Sequence, residues 1–463
     1  MNSRPAVREG QLPGGSVQRG EVLVPSRLSD PVHGTIDCSA AGLVAGSLRR
    51  KGYQVRIEPV ANWTDVPGNA GDPILYLATC EGRDGMVSAI AAAAASADGL
   101  AAAAARAAVQ EWTMALDPRT VMVSSSPWCQ GALRALELAG RAVRDSAGLG
   151  SVVHVLGDMA GPADARAGLA DQGAVFGSSL AEMVRGDIVV FPAYGVTPQL
   201  RAEARERGLA IVDATCPLVA SAQQEAGRLA ERGDHVVVIG QPDHAATPGI
   251  TASTGGRATV VGTAGGTAAL SMPGASRVSY LLQPGEPIEA AAAVAAALRS
   301  RFPATRGPNP DSFCYAASDR AGTIKMVAAS CDLMLVLGAQ DGADARQLSG
   351  LARDCGARAQ IIAEVGDITP AMLTGIGVIG IAESTAAKPG LTDQVTEALS
   401  GLGRLSIVRR QVSSDVTSRP DLEHTTPAQH KALPAQHEAT AAQHAAPAAQ
   451  HAATAAQHEE MPA

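Results

Sequence analysis

Three cysteines of the chain share one local setting. Cys129 follows VMVSSSPW, Cys216 follows IVDAT and Cys314 follows PDSF, and each leads into a segment that reads as a helix. Cys129 and Cys216 sit just past apolar runs that read as strands. The intervals between the three are each about the length of one small α/β unit. Open α/β sheets place ligands at the carboxyl ends of their strands. Three such units, each offering one thiol there, would bring the thiols together on one axis. Three thiolates are one short of a closed four-cysteine site. They could hold a [4Fe–4S] cluster with one iron left open, or zinc completed by a histidine or water. The alternative is three inert core thiols, since free cysteine is among the most buried residue types. Spacing alone leaves these readings open. Cys38, Cys80, Cys331 and Cys355 read as core thiols.

The elements that must position these residues alternate through most of the chain. GEVLVPS, YQVRIEPV, DPILYLATC, DIVVFPAYG, LAIVDATC, HVVVIGQ, ATVVGT, RVSYLLQ, DLMLVLGAQ, RAQIIAEV and IGVIGIAES read as strands, and RTVMVSSSPWC as a strand running into a turn. Amphipathic or Ala-rich segments between them read as helices. One of these is expected to be a long Ala-rich helix running to Trp112. Continuous apolar strands between helices indicate parallel sheets covered on both faces. The expected organisation is a disordered leader over 1–19 and an N-terminal α/β unit over 20–118. Three α/β units follow over 119–216, 217–313 and 314–412, then a low-complexity tail over 413–463. The N-terminal segment DCSAAGLVAGSLRRKG faintly echoes WCQGALRALELAG, as a duplicated unit would. In the tail, AQH recurs every seven residues at His430, His437, His444, His451 and His458. That segment lacks large apolar residues and reads as a solvated repeat rather than a metal site.

Composition narrows the function classes. The 463 residues are 46% hydrophobic and 18% charged, enough apolar material for real cores. No run reaches the ~18 uninterrupted apolar residues of a membrane helix, and the N-terminus lacks the apolar core of a secretory signal. The reading is a cytoplasmic protein with no membrane partner. A net charge of −8 argues against nucleic acid, which calls for a basic face. Seven scattered cysteines do not form a disulfide framework. The Gly-rich VGTAGGTAAL lacks the lysine of a phosphate loop and reads as a loop.

Four segments resemble one family. FPAYGVTPQLRAEARERGLAIVDATCPLV is similar to the central signature of the 4-hydroxy-3-methylbut-2-enyl diphosphate reductases, which reads roughly FSAHGVSP and then DATCPLV. VVVIGQPDHAATPG resembles the family's IGHxxHPEVxG segment. SRFPATRGPNPDSFCYAASDRAG resembles its RFP…DICYATTNRQ segment, and SPWCQGALRAL is a looser match to its GFCAGVDRAI start. The resemblance covers about residues 119 to 410 in order. It implies three pseudo-repeated α/β units around a central [4Fe–4S] cluster held by Cys129, Cys216 and Cys314. It implies reductive dehydroxylation of an allylic diphosphate to isopentenyl and dimethylallyl diphosphate, the last step of the non-mevalonate route to isoprenoids. An electron donor such as ferredoxin or flavodoxin is implied as partner.

Other family positions are changed. The family histidine of HPE is present as His244, but the glutamate two residues on is Ala246. The histidine of AHG is replaced by Tyr194, and no histidine lies near Gly161. A Ser-Ser-Asn cluster becomes Gly342, Ala343 and Asp344. The serine of AGAS becomes Ala386, and TQT becomes Leu282, Gln283 and Pro284. Donors suited to phosphate oxygens give way to methyl groups, and Asp344 adds a negative charge. Each lost charge-assisted bond costs about 1.5–3 kcal/mol. His244 and Tyr194 remain as candidate proton donors, because removing a hydroxyl as water requires one. Two functions are expected to compete. One is the family reaction. The other is a diverged relative that keeps the cluster but acts on a less charged substrate, or serves as a redox sensor or interaction protein.

Overall fold

The computed structural model of the chain describes residues 4–30, 33–65, 69, 71–81, 87–124, 128–148, 150–157, 159–270 and 277–414. Residues up to Arg419 form one unit, and 420–463 form a second, which lies outside the described residues. The AQH repeat belongs to that second unit.

Six strands and two helices build the N-terminal part: β1 (Arg8–Gln11), β2 (Glu21–Asp30), β3 (Gly34–Asp37), α1 (Ala41–Arg50), β4 (Gln54–Val60), β5 (Ile74–Glu81), β6 (Val87–Ala94) and α2 (Gly99–Met114). They make one mixed sheet in the order β1-β5-β6-β3-β2-β4. Two expectations need correction here. The leader is not wholly unstructured, because β1 pairs antiparallel with β5 from Arg8 opposite Leu77 to Gln11 opposite Ile74. The Ala-rich stretch is not one helix. Its first part is β6, paired residue by residue with β5. Alanine is a weak strand former, but tertiary pairing overrides that preference. The helix starts only where Asp98 caps it, accepting the Ala101 N–H at 3.1 Å.

The rest of the chain forms three separate parallel sheets. The elements run β7 (Arg119–Val123), α3 (Gln130–Ser146), β8 (Val153–Leu156), α4 (Ala163–Asp171), β9 (Ala174–Ser178), β10 (Ile188–Phe191), α5 (Pro198–Glu206) and β11 (Ala210–Asp213). Next come α6 (Pro217–Glu231), β12 (His235–Ile239), α7 (Thr247–Ala252), β13 (Ala258–Val261), β14 (Val278–Leu282) and α8 (Ile288–Arg301). The last stretch holds α9 (Ala316–Ala328), β15 (Leu333–Leu337), α10 (Ala343–Asp354), β16 (Arg358–Ile362), α11 (Pro370–Leu373), β17 (Val378–Glu383), α12 (Leu391–Ser400) and β18 (Leu405–Arg409). The sheet orders are β11-β10-β8-β9, β13-β12-β14 and β16-β15-β17-β7-β18. Every pairing within them is parallel.

The third of these sheets revises the expected boundaries. β7, expected to open the unit over 119–216, lies between β17 and β18 in the last sheet. The chain therefore enters the last unit first, leaves it through Cys129 and returns after Cys314. The tail also begins later than expected. Val412 and Ser414 donate backbone N–H groups to Thr323 and Asp319 of α9.

The N-terminal sheet and the five-stranded sheet share one core. Leu43, Leu48 and Trp112 cluster with Leu335, Ile379 and Ile381, all essentially inaccessible to water. The buried Trp112 indole donates to Ser47 Oγ at 3.0 Å. α1 lies close against the 3-10 turn Val365–Asp367. A Cβ on Gly46 would stand 2.2 Å from the Gly366 carbonyl oxygen, so only glycine permits that approach. Arg50 seals the contact by donating to the Gly366 and Ile368 carbonyls. No helix of the described residues is long and apolar enough to cross a membrane.

Candidate functional site

Each of the three singled-out cysteines stands at the start of a helix. Cys129 is the N-cap of α3 and Cys216 the N-cap of α6. Cys314 precedes α9 by two residues, but it follows a 3-10 turn, Pro310–Ser312, rather than a strand. Helix N-termini carry unpaired N–H groups and a positive dipole end, which favour a thiolate. The Cys216 sulfur accepts the N–H groups of Leu218 and Val219, and the Cys314 sulfur those of Ala316 and Gly285. Cys129 is exposed, and the other two are partly buried.

The structure brings Cys129 and Cys216 close together, and Cys314 lies near enough for charge on both to act on its thiol. A Cβ on Gly131 would stand 2.7 Å from the Cys216 sulfur and 3.8 Å from the Cys129 sulfur, so no more than the sum of these separates the two. Burial is the largest effect on the Cys216 and Cys314 thiols and pushes both up. Charge on the neighbouring cysteines pushes in the same direction, while the backbone N–H groups oppose it. A cationic centre among them would reverse that balance, because a metal deprotonates its coordinating thiol. Among the described residues, no three His, Cys, Asp or Glu side chains are grouped closely enough to hold a single metal ion.

His244 and Tyr194 lie beside each other, ring edge to ring face, with centroids 5.3 Å apart. Burial lowers the His244 pKa, which favours the neutral ring. The Ala246 N–H donates to Nδ1 at 3.2 Å, so the ring proton of the neutral form is on Nε2. Nε2 faces Gly285, at 3.7 Å from where a Cβ would stand, and Gly285 is the residue whose N–H reaches the Cys314 sulfur. Tyr194 is tied to Cys216 through its neighbour, since the Cys216 N–H donates to the Ala193 carbonyl at 2.9 Å. Tyr194 follows β10 and His244 follows β12, so the two candidate donors lie in loops that neighbour the turn of Cys216 and Gly285. Ala246, in place of the family glutamate, is fully buried.

Gln223, Glu286 and Arg320 at this site carried no sequence signal that singled them out, whereas Gln283 and Asp344 were noted as changed family positions. Gln223 on α6 runs between Gly195 and Gly249, leaving no room for a Cβ at either, and its amide donates to the Val196 carbonyl at 3.4 Å. Gln283, buried at the end of β14, accepts the Thr247 hydroxyl at 3.0 Å. Glu286 is buried next to Gly285, and burial raises its carboxyl pKa against a hydrogen bond from Gln241. Arg320, on α9, pairs with Asp344.

A separate cleft of about 630 Å³ lies between the N-terminal unit and α12, lined by Arg27, Asp37, Cys38, Gln394 and Glu397 among others. Burial, with help from Asp37, pushes the Cys38 thiol up to about 12. Cys38 is therefore protonated at neutral pH, and the N-terminal echo of the cysteine segment offers no thiolate.

With this geometry in hand, comparison with known proteins places the chain. Residues 120–400 match the family model described as LytB protein. A 4-hydroxy-3-methylbut-2-enyl diphosphate reductase of Mycobacterium bovis is 36% identical over 299 residues, 64% of this chain and 90% of that protein. Its Bordetella pertussis counterpart is 33% identical over 293 residues, 63% of this chain and 89% of the relative. The solved E-1-hydroxy-2-methyl-but-2-enyl-4-diphosphate reductase of Plasmodium falciparum shares the fold, with a TM-score of 0.55 at 20% identity, covering 63% of this chain and 92% of that one. The chain belongs to the LytB family. Its curated relatives are named as reductases, and it is an oxidoreductase of that family. The N-terminal mixed sheet lies outside the matched span.

Proposed function

We propose that the chain is a [4Fe–4S]-dependent reductase that removes the hydroxyl of an allylic alcohol, the reaction class that its relatives' names carry. One observation carries this reading: three thiols from three helix starts converge, two with backbone N–H donors aimed at sulfur and two held close by the absence of a side chain at Gly131. Cys129, Cys216 and Cys314 would hold the cluster. Bound there, it would supply one-electron reducing equivalents.

The reaction breaks a carbon–oxygen bond, forms a carbon–hydrogen bond and releases water. It consumes two electrons and two protons. His244 holds a proton at Nε2, directed toward Gly285, and Tyr194 packs across its ring to keep that direction. These two side chains are the groups placed to pass a proton to the departing hydroxyl. A small one-electron carrier such as a ferredoxin or flavodoxin is the partner this chemistry requires, and the cytoplasm is the compartment that supplies it.

The test is anaerobic turnover of iron-loaded protein with a reduced viologen as electron source. The alcohols offered are 4-hydroxy-3-methylbut-2-enyl diphosphate and the free diol that remains when its diphosphate is removed. The expected result is oxidation of two viologens for each hydroxyl lost from one of them. Iron-loaded protein that consumes no viologen with either alcohol would overturn the proposal.

A further inference from the structure

The two candidate proton donors stand in different loops, and one side chain lies between those loops. Cys216 opens α6, and Gln223 follows about two turns further along the same helix. Val219, one turn before Gln223 on the same face, is buried. The loop after β10 lies along that face. A Cβ on Gly195, the residue after Tyr194, would stand 3.0 Å from Thr215 Cγ2, 3.4 Å from Val219 Cγ1 and 2.7 Å from Gln223 Nε2. From the other side comes α7, which begins just past His244. A Cβ on its Gly249 would overlap the same Nε2 and stand 3.3 Å from the Val196 carbonyl oxygen.

The Gln223 amide thus fills a space that two glycines leave open. Its N–H donates to the Val196 carbonyl at 3.4 Å, a long bond, so the filling counts for more than the donor. Val219, Ala246 and Ile250 form an apolar cluster around this point, and Tyr194 packs against it. His244 is held within its own turn. Its carbonyl accepts the Thr247 N–H at 2.9 Å, and its Nδ1 accepts the Ala246 N–H at 3.2 Å. Moving α7 therefore moves the imidazole, and moving the Gly195 loop moves Tyr194. Protein interiors are packed with few voids, so a side chain wedged between two loops sets their separation.

We infer that Gln223 is a positioning residue: wedged between Gly195 and Gly249 on the helix that Cys216 opens, it fixes the Tyr194–His244 pair relative to the Cys216 sulfur. It acts through the two loops and not on the reacting atoms. The catalytic meaning rests on the reductase reading, in which that pair delivers the proton. The wedge itself stands on the Gly195–Gln223–Gly249 geometry alone.

The test follows modification of His244 by diethyl pyrocarbonate in the full iron-loaded chain under anaerobic conditions, with the modified peptide quantified by mass spectrometry. Burial and the Tyr194 ring shield His244 in wild type, so modification should be slow. Gln223→Ala should speed it several-fold with iron content unchanged. Gln223→Met, which fills the space without the donor, should restore most of the protection. Gly249→Ala drives a methyl group into the amide and should expose His244 as Gln223→Ala does. The double variant should be no more exposed than Gln223→Ala alone, because the methyl then enters vacated space. In turnover, Gln223→Ala should lower kcat by up to about 100-fold with KM little changed. Unchanged modification in both single variants, or effects that simply add in the double variant, would overturn the inference. So would an unchanged kcat in an active enzyme, or loss of iron in Gln223→Ala, which would make Gln223 a support of Cys216 instead. Should Gln223→Ala fail to fold, Gly249→Ala decides by the same readout. Modification is read without turnover. A chain with no reductase activity can therefore still support the wedge, and an active one can still refute it.

Discussion

Gly131→Ala is expected to stop the protein holding iron while leaving it folded. The position is the second residue of α3, where alanine would ordinarily stabilise the helix by about 1 kcal/mol relative to glycine. A Cβ there, however, would stand 2.7 Å from the Cys216 sulfur and 3.1 Å from Cys216 Cβ, closer than real contacts allow. The sulfur must move, and it is the middle one in sequence of the three proposed ligands. Losses of about 10–100-fold follow when groups supporting metal ligands are disturbed. The melting temperature should hold or rise while iron content and turnover fall by at least the lower of these factors. Unchanged iron and turnover would show that the cysteines do not depend on this approach.

Gly46→Ala carries the same logic to the N-terminal unit, with stability as the readout. Here too helix propensity favours alanine. The added Cβ would lie 2.2 Å from the Gly366 carbonyl oxygen and 2.4 Å from its Cα, both backbone atoms of the turn against which α1 packs. Nothing flexible can give way, so α1 must lift, and the Arg50 bonds to Gly366 and Ile368 are strained with it. Overpacking of this kind costs roughly 3 kcal/mol. In a urea titration the midpoint should fall with an unchanged slope. A midpoint equal to or above wild type would mean that the N-terminal sheet does not share the core of Leu43, Trp112 and Ile379.

The contrast between these two glycines and the cysteines shows what was legible in the chain. The parallel sheets could be read because their strands are continuous apolar runs such as HVVVI and LMLVL, which no other arrangement buries as well. Cys129 and Cys216 could be read as strand-end residues for the same reason. Cys314 could not, because its lead-in is a 3-10 turn. The placement of β7 in the last sheet was hidden, since an apolar run does not name its partner strand. β6 was hidden because eight residues rich in alanine carry helix propensity, and only pairing with β5 makes them a strand. At the site, His244 and Tyr194 were visible as chemical types at matching positions. Gly131, Gln223, Glu286 and the Arg320 end of the Asp344 pair were not. Their roles depend on which loops meet, and that is set by the relation of the units and not by local pattern.

The most direct measurement is an iron and acid-labile sulfide count on anaerobically purified wild type, set beside Cys129→Ser, Cys216→Ser and Cys314→Ser. A cluster on these three thiolates requires about four irons and four sulfides per chain in wild type. Each variant should fall well below that, with the loss of the visible charge-transfer absorption. Wild type that carries no iron under these conditions, or variants that each keep the full count, would contradict a cluster at this site.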